Sequence, residues 1–207
     1  AGLLAISCAA PQEDLVSPPE PPILEDGAYL LDKAVWTYSD SSTTIEPQQI
    51  KIYSGGRYMF ASWNAADNTP SFSAGIAQTK NGKLYETPVY DVNGAVDSGT
   101  VFELSIVKTT LGFEQEIKGI QLEDSSSIDL YESWNALEGA TSSYDGLWKL
   151  SSRNEVEGVS EFNEIKMIGG GHFVWFHTWS DDSVEHADFG YGAFIDNGDG
   201  NVMEVAQ

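Results

Sequence analysis

The chain has 207 residues, which is enough for one large or two small domains. Its 32 acidic and 10 basic side chains give a net charge of −22, and a surface with that charge repels nucleic acids and anionic membranes. With 41% hydrophobic and 12% aromatic residues the chain can bury a core, which excludes general disorder, and its single cysteine excludes an internal disulfide. We therefore expect a folded protein that does not bind nucleic acid.

The chain begins with an apolar run at residues 3–6, followed by Ser7 and Cys8. Small residues directly before a cysteine resemble the end of a bacterial lipoprotein signal peptide, whose cysteine becomes the lipidated first residue. Residues 1–8 are therefore predicted to be the remnant of such a signal, with Cys8 as the lipidation site. The sequence lacks the ~20 consecutive apolar residues of a membrane helix, so the lipid would be the only membrane attachment. This resemblance implies the bacterial cell envelope, on the periplasmic or surface face of the outer membrane, or secretion.

Residues 9–26 are rich in proline and acidic residues, which favour an extended chain without a core. The prolines are Pro11, Pro18, Pro19, Pro21 and Pro22, and the acids are Glu13, Asp14, Glu20, Glu25 and Asp26. We interpret this segment as a charged tether that holds a folded domain away from a membrane.

Residues 27–138 consist of short runs rich in β-branched and aromatic residues, separated by turn residues. Residues 54–56 and Asn81-Gly82 each join two such runs in a hairpin, and Asn-Gly supplies the positive φ of a type I′ turn. The predicted strands are 28–38, 48–53, 57–63, 71–80, 83–90, 100–107, 113–120 and 127–134. Sequential strands of this kind favour an antiparallel meander that closes into a barrel, so the predicted fold class is all-β.

Residues 139–145 are predicted to be a linker to a second unit at residues 146–207. The predicted strands of this unit are 146–151, 161–168, 172–179, 187–196 and 200–206. We expect residues 154–163 to form a loop, although they could hold one helical turn.

The two units share an ordered set of motifs. Residues 50–60 reappear as residues 165–175 without a gap, at an offset of 115. The glycines Gly27 and Gly75 match Gly146 and Gly192, and Glu86 matches Glu204. A repeat of this length is typical of a duplicated domain, since solenoid units have ~20–50 residues. The first copy continues well past Glu86, so we expect the chain to be a fragment that holds one complete unit and the front half of another.

The second unit opens with Gly146-Leu147-Trp148-Lys149-Leu150, and the first with Gly27-Ala28-Tyr29-Leu30-Leu31. A Gly-x-Trp near the first strand is similar to the start of lipocalins and other calycins, where the tryptophan plugs the base of the barrel. The order of the later motifs, including Asn-Gly before Tyr-Glu, resembles small lipocalin-like domains of secreted and lipid-anchored Gram-negative proteins, most of which have no assigned function. The resemblance implies a lipocalin-like barrel, followed by an incomplete second copy.

The strand at residues 172–179 is the best candidate for a ligand-binding site. Alternate residues of a strand share a face, and here they are Phe173, Trp175, His177 and Trp179. Tyr58 and Phe60 are the first-unit counterparts of Phe173 and Trp175. A lumen lined by this face would form an aromatic pocket with a polar handle for an apolar or flat ligand. The alternative is that these side chains only fill the interior of a small barrel.

Glu86 and Glu204 are further candidates, because both copies carry a carboxylate at this place. It could accept a hydrogen bond inside the barrel or act as a general base. The sequence shows no Ser-His-Asp order, phosphate loop or paired-carboxylate signature. We therefore expect neither enzymatic activity nor a cofactor.

The histidines do not predict a metal site. His172 and His177 are five residues apart, so they point to opposite faces of one strand. Residues 196–201 resemble a calcium loop but lack the glutamate that completes one, and residues 79–83 of the first copy contain no acid. We therefore predict no metal ligands.

These patterns favour a lipid-anchored envelope protein that binds a small apolar or amphipathic molecule in its barrel. Two alternatives remain open. One is a structural or protein-interaction module whose barrels are filled, and the other is an enzyme that uses Glu86 or His177 in a cavity. For the fold, the alternative is a single ten-stranded barrel built from both units.

Overall fold

The structure is a computed structural model that describes residues 20–46, 48–64, 69–96, 99–122, 125–155, 157, 159–181 and 184–207. All regular elements in these ranges are β-strands, and their pairings are antiparallel. The predicted all-β class is confirmed. Within the same ranges, no helix is long and apolar enough to cross a membrane.

The first sheet closes into a barrel of eight strands, as the sequential hairpins predict. These strands are β1 (Gly27–Thr37), β3 (Gln48–Ser54), β4 (Arg57–Asn64), β5 (Thr69–Lys80), β6 (Lys83–Asp91), β8 (Phe102–Lys108), β9 (Gly112–Gln121) and β10 (Ser127–Ala136). The barrel closes where β1 pairs with β10. This pairing runs from Tyr29 opposite Ala136 to Thr37 opposite Asp129.

Two short strands lie outside the eight and were not predicted. The strand β2 (Ser42–Ile45) pairs with the second half of β1, and β7 (Gly94–Ala95) pairs with the end of β6. Both are exposed, so neither carries the apolar alternation by which a strand is recognised in a sequence.

The second sheet is open and has five strands in chain order. They are β11 (Gly146–Lys149), β12 (Val159–Gly169), β13 (His172–Asp181), β14 (Val184–Asp196) and β15 (Val202–Ala206). The alternative of one ten-stranded barrel is wrong, because the two sheets are separate. The expected loop at residues 154–163 is also partly wrong, since β12 begins at Val159 and pairs with β13 from its first residue.

Strands β3, β4 and β5 bury both of their faces. The inner face of β3 carries Lys51 and Tyr53, whereas its outer face carries Ile50 and Ile52, and all four residues are buried. An outer face this apolar cannot be left in water without a large free-energy cost, so something must cover it.

The second sheet covers this outer face. The barrel contributes Ile50, Ile52, Met59, Ala61, Phe72 and Ala74, and the second sheet contributes Ile165, Met167, Val174 and Phe176. Within this shared core, the rings of Phe72 and Phe176 stack at a centroid distance of 3.9 Å. At the rim, the Gln48 amide donates to the Tyr191 hydroxyl at 3.0 Å. The two sheets therefore share one apolar layer.

The second sheet pairs its strands in the same register as the equivalent strands of the barrel. Each barrel pair has a counterpart in the second sheet: Tyr29–Lys51 corresponds to Trp148–Lys166, Lys51–Phe60 to Lys166–Trp175, Tyr58–Gly75 to Phe173–Gly192, and Ala77–Glu86 to Phe194–Glu204. The repeated motifs thus lie at equivalent places in the two sheets. The unit boundaries at 27–138 and 146–207 stay predictions.

Gly75 and Gly192 occupy equivalent positions in the two sheets, and both positions require glycine. A Cβ on Gly75 would lie 2.0 Å from the carbonyl oxygen of Thr87, and a Cβ on Gly192 would lie 2.0 Å from that of Val205. Neighbouring backbone passes too close in both sheets for any side chain.

Truncating either stacked phenylalanine should strongly weaken the fold. We expect Phe72→Ala and Phe176→Ala each to lower the free energy of unfolding by about 3–5 kcal/mol, because each leaves a cavity in the shared core. The double variant should lose about 0.5–3 kcal/mol less than the sum, since the rings contact each other. Urea unfolding followed by circular dichroism measures these values.

Leu111→Ala is the control, because Leu111 is 70% exposed and should change stability by about 0.5 kcal/mol or less. Strict additivity of the two phenylalanine variants would contradict the docked arrangement of the sheets.

Candidate functional site

The barrel interior is filled at one end. Alternate residues of the strands point inward, and at this end they are Tyr29, Tyr53, Leu84, Leu104, Phe113 and Trp134. The ring of Tyr29 meets that of Phe113 edge-on at 4.9 Å, and Phe113 stacks on Trp134 at 6.0 Å. Tyr29 thus lies in the apolar cluster that fills this end of the barrel.

A layer of charged and polar side chains lies above this apolar plug. It consists of Lys51 on β3, Glu86 on β6, Gln115 on β9 and Glu132 on β10, each no more than 6% exposed. All four strands bring an inward-facing position to the same height of the barrel. Burying a charged group costs free energy unless it is paired, so the side chains of this layer must form ion pairs and hydrogen bonds with one another.

Lys51 is the cation of the layer. Its Nζ lies 3.3 Å from Glu86 Oε1 and donates to Gln115 Oε1 at 3.4 Å. Aromatic rings surround it, with the centroids of Trp134, Phe60 and Tyr53 at 5.1, 5.6 and 5.8 Å. Cation–π attraction of this kind partly replaces the lost water.

Glu86 receives a second donor from Tyr53. The Tyr53 hydroxyl donates to Glu86 Oε1 at 2.5 Å. Burial, and then the negative charge of Glu86, raise the pKa of Tyr53 well above its usual range, so the phenol stays protonated and remains a donor. Glu86 is thus held between an ammonium and a phenol.

Glu132 is bound differently, by neutral donors. The Gln115 amide and the Trp134 indole both donate to its Oε2, the latter at 3.3 Å. Burial raises the pKa of Glu132 above 4.5, and the nearby Glu86 carboxylate raises it further, whereas Lys51 acts in the opposite direction. Among the described residues of the layer, the ion pair joins Lys51 to Glu86.

A cavity of about 440 Å³ lies on the other side of the polar layer. The layer forms its floor, and apolar side chains form most of its walls: Phe60, Phe102, Ile117, Ile120 and Leu130. The partly exposed Asp91 and the exposed Thr100 lie at its mouth. This volume falls within the range of about 300–1,000 Å³ that is typical of small-molecule sites.

Three of the candidate residues from the sequence lie at this cavity. Tyr58, Phe60 and Glu86 all line it. The Tyr58 hydroxyl and the Ser73 hydroxyl are within hydrogen-bond distance at 2.9 Å. These three positions therefore come together, although Tyr58 and Phe60 are on β4 and Glu86 is on β6.

The other aromatic candidates lie elsewhere. Phe173, Trp175, His177 and Trp179 share the face of β13 that points away from the barrel. Trp175 stacks on His177 at 3.9 Å, and His177 Nε2 lies 2.8 Å from Glu164 Oε2. The hydrogen bond from His177 lowers the pKa of Glu164. Phe173 is buried, whereas Trp175, His177 and Trp179 are partly exposed, and a shallow depression of about 210 Å³ lies beside His177 and Trp179.

Glu204 repeats the pairing of Glu86. The Lys166 Nζ donates to Glu204 Oε1 at 3.1 Å, and Lys166 and Glu204 occupy the same register positions as Lys51 and Glu86. The two pairs differ in their surroundings, since the side chains of Lys166 and Glu204 are 22% and 35% exposed.

Lys51, Gln115 and Glu132 were missed by the sequence reasoning. Gln115 interrupts an apolar inward row between Phe113 and Ile117, and Glu132 does so between Leu130 and Trp134. Lys51 also recurs as Lys166 in the longest repeated motif. A polar residue within an apolar row, and a cation conserved through the duplication, are the signals that could have identified the layer.

Cys8 lies outside the described residues, as does most of the predicted tether. Within the described part of the chain, no three His, Cys, Asp or Glu side chains come together as the ligands of a metal ion would. Comparison of the chain with protein-family models, with curated proteins and with solved structures finds no match.

Lys51→Met should destabilise the protein by about 3–5 kcal/mol at neutral pH, because it leaves Glu86 buried without its cation. Lys166→Met is the matched control, since the equivalent pair is partly exposed and should contribute about 1 kcal/mol or less. Denaturant unfolding of both variants measures the difference. Equal losses would contradict the special role of the buried layer.

Glu132→Gln should become more stable relative to the wild type as the pH rises. A raised pKa means that the folded state binds more protons than the unfolded state above pH 4.5, so wild-type stability falls between 4.5 and the raised value. A glutamine has no proton to lose and avoids this fall. Unfolding free energies at several pH values from about 4 to 8 measure the effect.

Glu116→Gln removes the same charge from the outer face of β9 and serves as the control. An identical pH dependence in the two variants would contradict the assignment to Glu132.

Proposed function

We propose that this protein binds a small apolar or amphipathic molecule in the barrel cavity. The observation that carries the proposal is the cavity of about 440 Å³ with apolar walls, a polar floor and a mouth at the surface. A few polar groups at one end of an apolar pocket are what orient a ligand in most small-molecule sites. Tyr58, Phe60 and Glu86 are then ligand-contacting residues.

The lipocalin-like assignment belongs to this proposal. It is supported by a closed, eight-stranded antiparallel meander that has an aromatic plug at one end and a cavity at the other. We also propose that Cys8 is lipidated and that the tether holds the barrel near an envelope membrane. The support for this part is the sequence of residues 1–26 alone.

The filled-barrel alternative receives less support from the interior. A barrel that served only as a spacer would be filled by apolar side chains along its whole length. Here the plug fills one end, and four buried polar side chains separate it from open volume.

Catalysis is the second candidate function, because Glu86 and Glu132 are buried beside Lys51 in a cavity. Groups of this kind are common at catalytic sites. Glu86 Oε1 is already engaged by Lys51 and Tyr53. Glu132 is the better candidate, since burial raises its pKa.

Native mass spectrometry of the full chain tests the binding proposal. The wild type should carry an added mass that is lost on denaturation, or should gain one after incubation with lipid extracts. Leu130→Trp should reduce this occupancy roughly tenfold or more, because the larger ring fills the cavity.

Tyr131→Trp is the matched control, since the neighbouring side chain points outward and contacts Lys33. Occupancy that persists in Leu130→Trp would place the ligand outside the barrel. If neither the wild type nor the variants carry an added mass, the result would favour a protein-interaction module without a ligand.

A further inference from the structure

The floor of the cavity contains two carboxylates and one ammonium. Lys51 is engaged by Glu86 and by the carbonyl oxygen of the Gln115 amide. The partners of Glu132 are the neutral amide of Gln115 and the neutral indole of Trp134. The floor therefore has an excess of negative charge whenever Glu132 is ionised.

This imbalance determines which head group the floor accepts. An anionic head group would approach two carboxylates at short range, in a site where water screens charges poorly. The single ammonium of Lys51 is already paired with Glu86. A cationic head group would meet Glu132, whose hydrogen-bond donors are neutral, and charge-assisted hydrogen bonds are roughly twice as strong as neutral ones.

The mouth and the exterior have the same sign of charge. Asp91 lines the cavity near its mouth, and the whole chain carries a net charge of −22. A field of this sign raises the local concentration of cations and slows the approach of anions. The walls between mouth and floor are apolar, so they suit a hydrocarbon chain or ring rather than a second charged group.

We propose that the barrel cavity selects amphipathic amines, with the ammonium at Glu132 and the apolar part along Phe60, Phe102, Ile117 and Leu130. This inference rests on the proposed ligand-binding function and adds the chemical class of the ligand. The raised pKa of Glu132 agrees with it, because an added cation offsets the cost of a buried, ionised carboxylate.

Three probes with similar alkyl tails and different head groups test this selectivity: decylamine, decanol and decanoic acid. Isothermal titration calorimetry of the full chain at neutral pH compares their affinities. The amine should bind at least roughly tenfold more tightly than the acid, with the alcohol between them. Glu132→Gln should remove most of the preference for the amine, whereas Glu116→Gln, which removes an equal charge from the outer face, should keep it.

The outcomes separate the two proposals. If none of the probes binds, both the ligand-binding function and the amine preference are overturned. If the acid or the alcohol binds as well as the amine, the barrel is a binding site and the amine inference is wrong. A preference for the amine that survives in a folded Glu132→Gln also overturns it, because the selecting charge then lies elsewhere.

A second measurement covers the case in which Glu132→Gln does not fold. Amine binding by the wild type at mildly acidic pH should release protons, because the bound ammonium favours ionised Glu132. Titrations in two buffers of different ionisation enthalpy detect this release. Binding of the amine without proton release at any pH above the usual pKa of a glutamate would contradict the inference.

Discussion

The buried ammonium of Lys51 is the constraint on which the barrel interior depends. It stands on a strand whose neighbours on both faces are buried, and it is only 2% exposed. Its charge is balanced by Glu86, its hydrogen bonds are taken by Glu86 and Gln115, and its hydration is replaced by three aromatic rings. The polar layer divides the interior because these partners come from strands on opposite sides of the barrel. An apolar side chain at this place would let the plug and the walls merge into one filled core.

The duplicated pair offers a comparison within one molecule. Lys166 and Glu204 keep the pairing of Lys51 and Glu86 in the same strand register, yet they are partly exposed. In the barrel, β8, β9 and β10 cover the corresponding face and supply Gln115 and Glu132. The same two side chains thus form a surface ion pair in one sheet and the base of a cavity in the other. The difference comes from the strands packed above them and not from the pair itself.

The fold followed from the sequence more readily than the site did. Hairpin turns such as Asn81-Gly82 and the alternating runs on either side predict all eight barrel strands, because turn geometry and strand periodicity are local properties. Which face of β3 points into the lumen could not be predicted in this way. Ile50 and Ile52 look like lumen residues and Lys51 looks like a solvent-facing one, whereas the opposite holds. The second sheet buries the outer face, so hydrophobicity alone does not distinguish inside from outside on this strand. Glu86 was identified because it is repeated, but its partners required the three-dimensional structure.

The closing pair of β1 and β10 has a consequence for the order of folding. Most strand pairs join neighbours along the chain, but this one brings together residues about a hundred positions apart, such as Tyr29 and Ala136. Its chain-entropy cost is correspondingly the largest in the barrel, and long-range pairings of this kind slow folding. During synthesis, β1 emerges first and keeps one edge unpaired until β10 has been made. The surface that docks the second sheet belongs to consecutive strands β3, β4 and β5, so it forms without closure. The floor of the lumen, in contrast, is incomplete until the last strand of the barrel arrives, because Glu132 is on β10.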